Sequence, residues 1–549
     1  MVKTARKVLA LLGLLVLPFI TFAQDIPEKS KGLDQRINEG FQPITDAWSS
    51  IVFYAVNIGG HQVPLVVILL VCGALFFTIY FGFVNFRRFG LAIQVVRGKH
   101  DDIEVDAEDI IPKNLNVVDG DIVDTIKDES KHGEVNHFQA LATAVSGTVG
   151  LGNIAGVAIA IAIGGPGATF WMIVCGLLGM SSKFVECTLG VKYRDIDANG
   201  VVYGGPMYYL TKGFKEIKMA GLGKVLAVLF AILCVGGSFG GGNAFQSNQA
   251  AQQIVAMTGM QGSSVGFIVG IILAIITGIV IIGGIKKIAK VTEKIVPFMA
   301  IIYIVASLII IFAHFSFIDD AFGMIFNEAF NPRAGLGGLM GVLIVGFKRA
   351  AFSNEAGAGS ASIAHSAVKT KYPASEGVVS LLEPFIDTVV ICTMTALVII
   401  IFNREGVMFP YGGDGKGSVI MQATGASASG VDLTTLAYND VIPHFSYVLT
   451  VAIVLFAFST MISWSYYGLQ AWKFLFGRGK IADLTYKILF LLFVVIGASI
   501  SLSAVTDFSD AMILAMVFPN MIGLLFLFPK VRYEMNRYMK AIKESRTKK

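Results

Sequence analysis

The sequence predicts an all-α, polytopic membrane protein of about eleven transmembrane helices, arranged as an inverted five-helix repeat plus one extra N-terminal helix. Three observations carry this prediction. The 549-residue chain is 55% hydrophobic and only 15% charged, whereas a soluble domain averages about a quarter charged. Several apolar runs exceed the roughly 18 residues needed to cross a bilayer core of about 30 Å. Two glycine-interrupted segments lie inside such runs, five spans apart. The formal charge of +5 indicates no nucleic-acid partner, because the basic residues sit in short loops beside apolar runs.

Residues 1–23 read as a signal peptide. Lys3, Arg6 and Lys7 form a basic start, residues 8–22 are apolar, and Thr21 and Ala23 supply small residues before a cut at Gln24. A short uncleaved membrane helix is the alternative. The polar segment 24–62 is then exterior. Residues 63–84 form the extra span, and Arg87, Arg88, Arg97 and Lys99 place its end in the cytoplasm. Residues 85–136 form a cytoplasmic insert, acidic from 101 to 134, for which the sequence suggests no role.

The first repeat, 137–315, holds spans at 137–163, 167–191, 224–255, 264–284 and 288–312, with a short helix at 206–214. The second, 316–529, holds spans at 336–364, 377–402, 445–474, 484–502 and 508–528, with an exterior loop at 403–441. A basic cytoplasmic tail, 530–549, closes the chain. Charge tests this order. Lys212, Lys215, Lys218, Lys286, Lys287, Lys290, Lys369, Lys371, Arg478, Lys480 and Lys530 all fall on one side. The other side carries only Arg333, Arg404 and Lys416, against Asp319, Asp320, Glu328, Asp414 and Asp432. This positive-inside bias sets the N-terminus outside and the C-terminus in the cytoplasm of a plasma membrane, a bacterial inner membrane in type.

Cys72, Cys175, Cys187, Cys234 and Cys392 all sit in apolar segments without C-x-x-C spacing. They read as small packing residues rather than zinc ligands or disulfides.

The two interrupted segments are 146–156, SGTVGLGNIAG, and 352–360, FSNEAGAGS. Glycine costs about 1 kcal/mol in a helix relative to alanine, so two close together favour unwinding. Unwound backbone survives at membrane depth only where protein buries it or a cavity adjoins it. There, freed N–H groups can hold a carboxylate and freed carbonyls a small cation. Helix-packing notches are the rival interpretation of either segment alone. A dinucleotide fingerprint fails, because Gly150, Gly152 and Gly156 have the wrong spacing and follow no strand.

Charges inside the seventh span are expensive. Arg349 and Glu355, six residues apart, read as a structural pair pinning the broken helix, with substrate contact as the alternative. Ser459 and Thr460 in the ninth span precede Trp464 by about one turn. Their hydroxyls bond back to the helix or complete a sodium shell, since sodium prefers oxygen ligands. Residues 240–249, GGGNAFQSNQ, place several amides in an apolar helix, which is expensive unless they face a wet site.

Together with 164–171 (GGPGATFW) and 204–210 (GGPMYYL), these segments make the chain resemble the alanine/glycine:cation symporter family, over about residues 135 to 530. The resemblance implies the sodium-coupled leucine-transporter fold and co-transport of sodium with alanine or glycine. It implies a cation site from the carbonyls of Ser146 and Val149 and the hydroxyls of Ser459 and Thr460. It implies that amides around Gly150, Leu151 and Gly152 hold the substrate carboxylate, that Gln246, Phe352, Ser353 and Trp464 wall the pocket, and that Asn153 braces the break. Leu151 stands where many relatives carry a small polar residue, which narrows the pocket. Sodium is the only metal implied, as coupling ion, and no organic cofactor is. The partners implied are the amino acid, sodium and the bilayer, with oligomeric state open. Another small amino acid, or protons as driving ion, are alternatives.

A channel predicts a continuous polar stripe and a repeated filter, and neither is present in the sequence. An enzyme needs a nucleophile–base or metal pair in the spans. His314 and His365 have no evident partner in the sequence and read as structural or interfacial.

Overall fold

The computed structural model describes residues 33–548 except 59, 102, 104–116, 119–120, 123–132, 198–199, 260–264 and 332–337. The signal peptide and most of the acidic insert lie outside the described residues. What is described is a helical membrane bundle with four two-stranded antiparallel hairpins at its margins.

Each expected span coincides with helix. Seven helices are long and apolar enough to cross a bilayer by themselves: Gly167–Lys192, Ala220–Thr258, Gly284–Ala313, Pro373–Phe402, Ser446–Phe476, Lys480–Ser499 and Leu502–Thr547. An eighth candidate is the bent pair His137–Thr148 and Gly152–Gly164. Leu65–Tyr80 and Val265–Ile281 are shorter apolar helices. The second interrupted segment gives Gly338–Asn354 and Ala361–His365, each too short to span alone. Among the described residues, length and composition thus give seven spans, or eight with the bent pair counted as one; the other three expected spans fall on two helices shorter than 18 residues and on the second broken segment.

Local sequence explains the helix limits. The first broken helix starts on a capping box: Asn136 Oδ1 accepts the Gln139 N–H at 2.8 Å, and Gln139 Oε1 accepts the Asn136 N–H at 3.3 Å. Pro373 and Pro206 each open a helix, where a missing N–H costs nothing. The burial pattern separates protein from lipid. Val265–Ile281 and Gly284–Ala313 leave Ile275, Ile279, Ile301 and Phe312 exposed on their outer faces, as lipid contact requires. The two breaks and the Ser446–Phe476 helix are buried at the centre.

Two margins differ from expectation. Segment 24–62, expected from its polar composition to lie outside the bundle, contains a helix, Leu33–Val52, which packs on Leu502–Ala515 through an edge contact of Phe41 with Phe508 at 4.8 Å. The tail is not separate from the last span: one helix runs Val517–Lys548 with Pro529 inside it.

Candidate functional site

The first break begins where Val149 leaves helical geometry. The chain turns through Gly150 and Leu151, forms one wide turn at Gly152–Gly156, and resumes as Val157–Gly164, bent by 51°. Three amides of this turn need partners. Gly150 N–H donates to Asn153 Oδ1 at 2.9 Å. Leu151 N–H donates to Gln246 Oε1 at 2.9 Å. Asn153 Nδ2 in turn donates to Asp387 Oδ1 at 2.7 Å and to the Asp387 carbonyl at 3.0 Å.

The second break follows Asn354. Glu355 adopts a left-handed conformation (φ 54°), and Gly357 and Gly359 follow at φ 91° and 90°. Only glycine takes such angles without strain, so the sequence Glu-Ala-Gly-Ala-Gly stops the helix here. The two breaks touch: a Cβ on Gly152 would lie 3.4 Å from Ser353 Cα. Phe352 meets Phe245 edge-on at 5.1 Å.

Asp387 joins the breaks. It is fully buried, on the helix Pro373–Phe402. Its carboxylate accepts from Asn153 of the first break, from Ser353 Oγ of the second at 2.9 Å, and from Thr388 Oγ1 at 2.7 Å. Among the described residues no lysine, arginine or histidine pairs with it. A buried carboxylate without a countercharge is expensive, which singles out Asp387 as a candidate functional group.

Ser146, Ser459 and Thr460 come together. Thr460 Oγ1 donates to the Ser146 carbonyl at 3.0 Å, and Ser146 Oγ donates to the Ser459 carbonyl at 2.8 Å. Ser459 Oγ bonds back to the Phe456 carbonyl at 3.0 Å. Val149 is buried at the start of the same turn. Close by, Gly150 has no room for a side chain, since a Cβ there would lie 2.3 Å from Thr460 Oγ1. Trp464 is fully buried and its Nε1 donates to Glu355 Oε1 at 3.0 Å. Gly242 lets the indole in: a Cβ there would sit 2.2 Å from Trp464 Cγ.

Three expectations change. Arg349 and Glu355 do not form a pair. Arg349 is ion-paired with Asp510 of Leu502–Ala515, which Lys348 also reaches at 3.0 Å. Glu355 lies past the end of the helix and turns the other way, accepting from Trp464 and from the Ser360 hydroxyl. The amides of 243–249 do not share one wet site. Gln246 faces the first break, but Asn243 donates to the Phe490 carbonyl at 2.6 Å and Asn248 to the Ile500 carbonyl at 2.7 Å, tying two helices together. His365 is not without partners. Its Nδ1 meets Glu376 at 2.5 Å and its Nε2 meets Glu383 at 3.4 Å.

That histidine belongs to a buried chain at the lysine-rich end of the bundle. His137, at the start of the first broken helix, also bonds Glu376. Glu383 pairs with Lys183 of Gly167–Lys192 at 3.0 Å. Beside it, Glu186 accepts from Gly357 N at 2.7 Å and from Asn520 Nδ2 at 3.0 Å. These contacts tie both broken helices to three neighbours.

Sequence reading passed over Asp387, Asp510, Lys183 and Glu383. The signal was available, since an ionisable residue within an apolar run implies a partner or a role. Outside the spans, burial pushes Asp432 up to about 6, with the Gln252 amide offsetting part of the effect. Asp432 lies on the helix Val431–Val441, whose Thr434 Oγ1 reaches the Ile154 carbonyl at 3.3 Å.

Comparison with known proteins gives the family. The sodium/alanine symporter AgcS of Methanococcus maripaludis is 40% identical over 84% of this chain and 92% of its own length. The amino-acid carrier protein AlsT of Bacillus subtilis is 33% identical over 84% of this chain and 86% of its own. A solved structure, MhsT in complex with L-phenylalanine, aligns with 73% of this chain and all of its own (100%), at 14% identity and a TM-score of 0.48. The model of the sodium:alanine symporter family matches residues 47–549. The chain is a multi-pass membrane protein that belongs to the sodium:alanine symporter family.

Proposed function

We propose that the protein is a secondary active symporter that couples sodium entry to import of a small neutral amino acid, alanine or glycine. The observation that carries this is Asp387, a buried carboxylate without a countercharge, bonded to Asn153 of one break and Ser353 of the other. A cation arriving there neutralises the charge and fixes both breaks at once. Binding energy that appears only in one arrangement of the breaks shifts their population, which is what coupling requires.

The Ser146 and Val149 carbonyls, with the Ser459 and Thr460 hydroxyls, supply neutral oxygens for sodium. Sodium is the coupling ion, and no organic cofactor enters. The substrate carboxylate takes the amides of Gly150, Leu151 and Gly152. The Leu151 amide is held by Gln246, so binding exchanges that bond for one to the substrate. Gln246 Oε1 then gives up its donor, while Gln246 Nε2 stays bonded to the Gly241 carbonyl at 2.8 Å. Trp464, Phe352 and Leu151 restrict the space for a side chain to hydrogen or methyl. Asn153 braces the break, and Glu355 positions Trp464.

The N-terminus is exterior and the C-terminus cytoplasmic, in a plasma membrane, by the lysine and arginine bias. On that orientation the Arg349–Asp510 pair lies toward the exterior and the His137–Glu376–His365 chain toward the cytoplasm. Transport alternates by rocking one group of helices against the rest, so that one end opens as the other closes. Uptake of labelled alanine and glycine into proteoliposomes tests the proposal, with an inward sodium gradient, an inward proton gradient, or neither. Uptake that accumulates only with sodium supports it. Accumulation with protons alone, or equal uptake without any gradient, refutes the sodium coupling.

A further inference from the structure

The chain leaves its first short apolar helix, Leu65–Tyr80, through a tight turn. Gly82 lies at φ 62° and Phe83 at φ 58°. A phenylalanine in the left-handed region costs of order 1 kcal/mol or more, so the turn is held by what surrounds it. Its consequence is to bring Arg87 and Arg88 beside Arg532 of the terminal helix. The three guanidiniums line a cleft of about 170 Å³, with Phe81 and Asn536 on its walls. Liquid water takes roughly 30 Å³ per molecule, so the cleft accommodates a phosphate group and a few waters.

Nothing acidic among the described residues neutralises this cluster. The nearest acids along the terminal helix are already committed: Glu534 pairs with Lys192 at 2.6 Å and with Arg537 at 3.3 Å. Glu216 pairs with Lys530 of the same terminal helix at 2.8 Å. Arg532 is held in place by the Tyr80 ring, 4.0 Å beneath its guanidinium, and by the Tyr80 carbonyl. Burial and the adjacent Arg87 charge both push Arg88 below its ordinary value.

An apolar strip adjoins the cleft. Tyr80 stacks on Phe76 at 5.7 Å, and Phe76, Ile79, Phe83 and Phe86 are exposed on the outer surface. A charged cleft that opens onto a lipid-facing aromatic strip fits a ligand with an anionic head and an apolar body. We propose that Arg87, Arg88 and Arg532 form a binding site for the headgroup of an anionic phospholipid, whose acyl chain lies along Phe76, Ile79 and Phe83. The site joins the extra N-terminal helix to the terminal helix through a lipid. It rests on the membrane placement of these helices and not on which solute is carried.

Native mass spectrometry of the delipidated, detergent-purified full chain tests this, with phosphatidylglycerol and phosphatidylethanolamine as probes. At about fivefold per basic residue, R87Q, R88Q and R532Q together weaken phosphatidylglycerol binding about a hundredfold. Phosphatidylethanolamine binding stays unchanged, as does phosphatidylglycerol binding to R478Q, an exposed arginine that stacks on Tyr203. Inorganic phosphate in millimolar excess leaves the bound lipid in place. The Arg→Lys triple variant retains most of the affinity and controls for folding, together with the melting temperature of each variant. Equal affinity of the wild type for the two lipids overturns the proposal, and needs no variant. Equal phosphatidylglycerol binding by the triple Gln variant overturns it too. Displacement by phosphate means a free-anion site and also overturns it.

Discussion

Replacing Asp387 by asparagine removes one negative charge and keeps the volume and one oxygen. Asn153 can still donate to the retained oxygen, the counterpart of Oδ1, while the Ser353 hydroxyl, which donates to Oδ2 in the wild type, can turn to accept from the new amide, so each break keeps a hydrogen bond to position 387. What is lost is the attraction for a cation. Two unit charges about 5 Å apart at an effective dielectric constant near 20 attract by about 3 kcal/mol, and this is more than a hundredfold in binding. The half-saturating sodium concentration for alanine uptake in proteoliposomes should rise by about that factor, with saturating uptake reduced less. Stability should move the other way. Without sodium, Asp387 is a buried charge with no cationic partner, and neutralising it removes a desolvation cost. The melting temperature in sodium-free buffer should therefore hold or rise in Asp387→Asn, and its increase on adding sodium should shrink. Sodium half-saturation within threefold of wild type would refute the reasoning. So would a large drop in sodium-free melting temperature, since that marks a carboxylate whose role is purely structural.

Four further substitutions follow, three at the breaks and one on the helix Val431–Val441. Thr460→Ala removes a hydroxyl that reaches the Ser146 carbonyl, and should raise the sodium requirement about tenfold, whereas Ser459→Ala should have a smaller effect because that hydroxyl bonds back to Phe456. Sodium activation curves decide this, and no change in Thr460→Ala would remove it from the site. Gly242→Ala places a methyl 2.2 Å from Trp464 Cγ, forcing the indole off Glu355. Overpacking of this kind costs about 1–3 kcal/mol, so the KM for alanine should rise about tenfold or more while the protein still folds; an unchanged KM would dissociate Trp464 from the pocket. Asp432 is protonated more readily folded than unfolded, so between about pH 4 and its raised value near 6 the folded state holds the extra proton. Stability should fall as pH rises through that window, and Asp432→Asn should flatten the melting temperature there; an unaltered slope would contradict the assignment.

Most of the architecture was legible because its causes are local. Apolar length gave the spans, and positive φ at Gly357 and Gly359 is what glycine in an apolar run foretells. Ser146 is joined to Ser459 and Thr460 by two hydrogen bonds across more than 300 positions of chain. The pairings of charges were not legible, because they join residues far apart in the chain. Arg349 sits 161 positions from Asp510, whereas Glu355 is only six away and was the obvious candidate. Proximity in sequence misled because a helix break reverses direction: the residue just past it faces a different neighbour. The amides at 243–249 misled for a related reason. A buried amide can be satisfied by a neighbouring helix's carbonyl as well as by a wet cavity, and Phe490 and Ile500 supply those carbonyls. Periodicity does not distinguish the two.

The chain of buried groups from His137 through Glu376, His365 and Glu383 to Lys183 bears on how faithfully the carrier keeps its two cargoes together. Each member depends on a partner from another helix. Sliding one helix alone would strand Lys183 or Glu383 in a medium that solvates neither, at several kcal/mol per stranded ion. Small, partial openings of that end are therefore the most expensive ones. The end either stays shut or parts widely enough for water to follow. A barrier of that shape suppresses slippage: an ion crossing without its solute would have to pass through the half-open states that this chain makes rare.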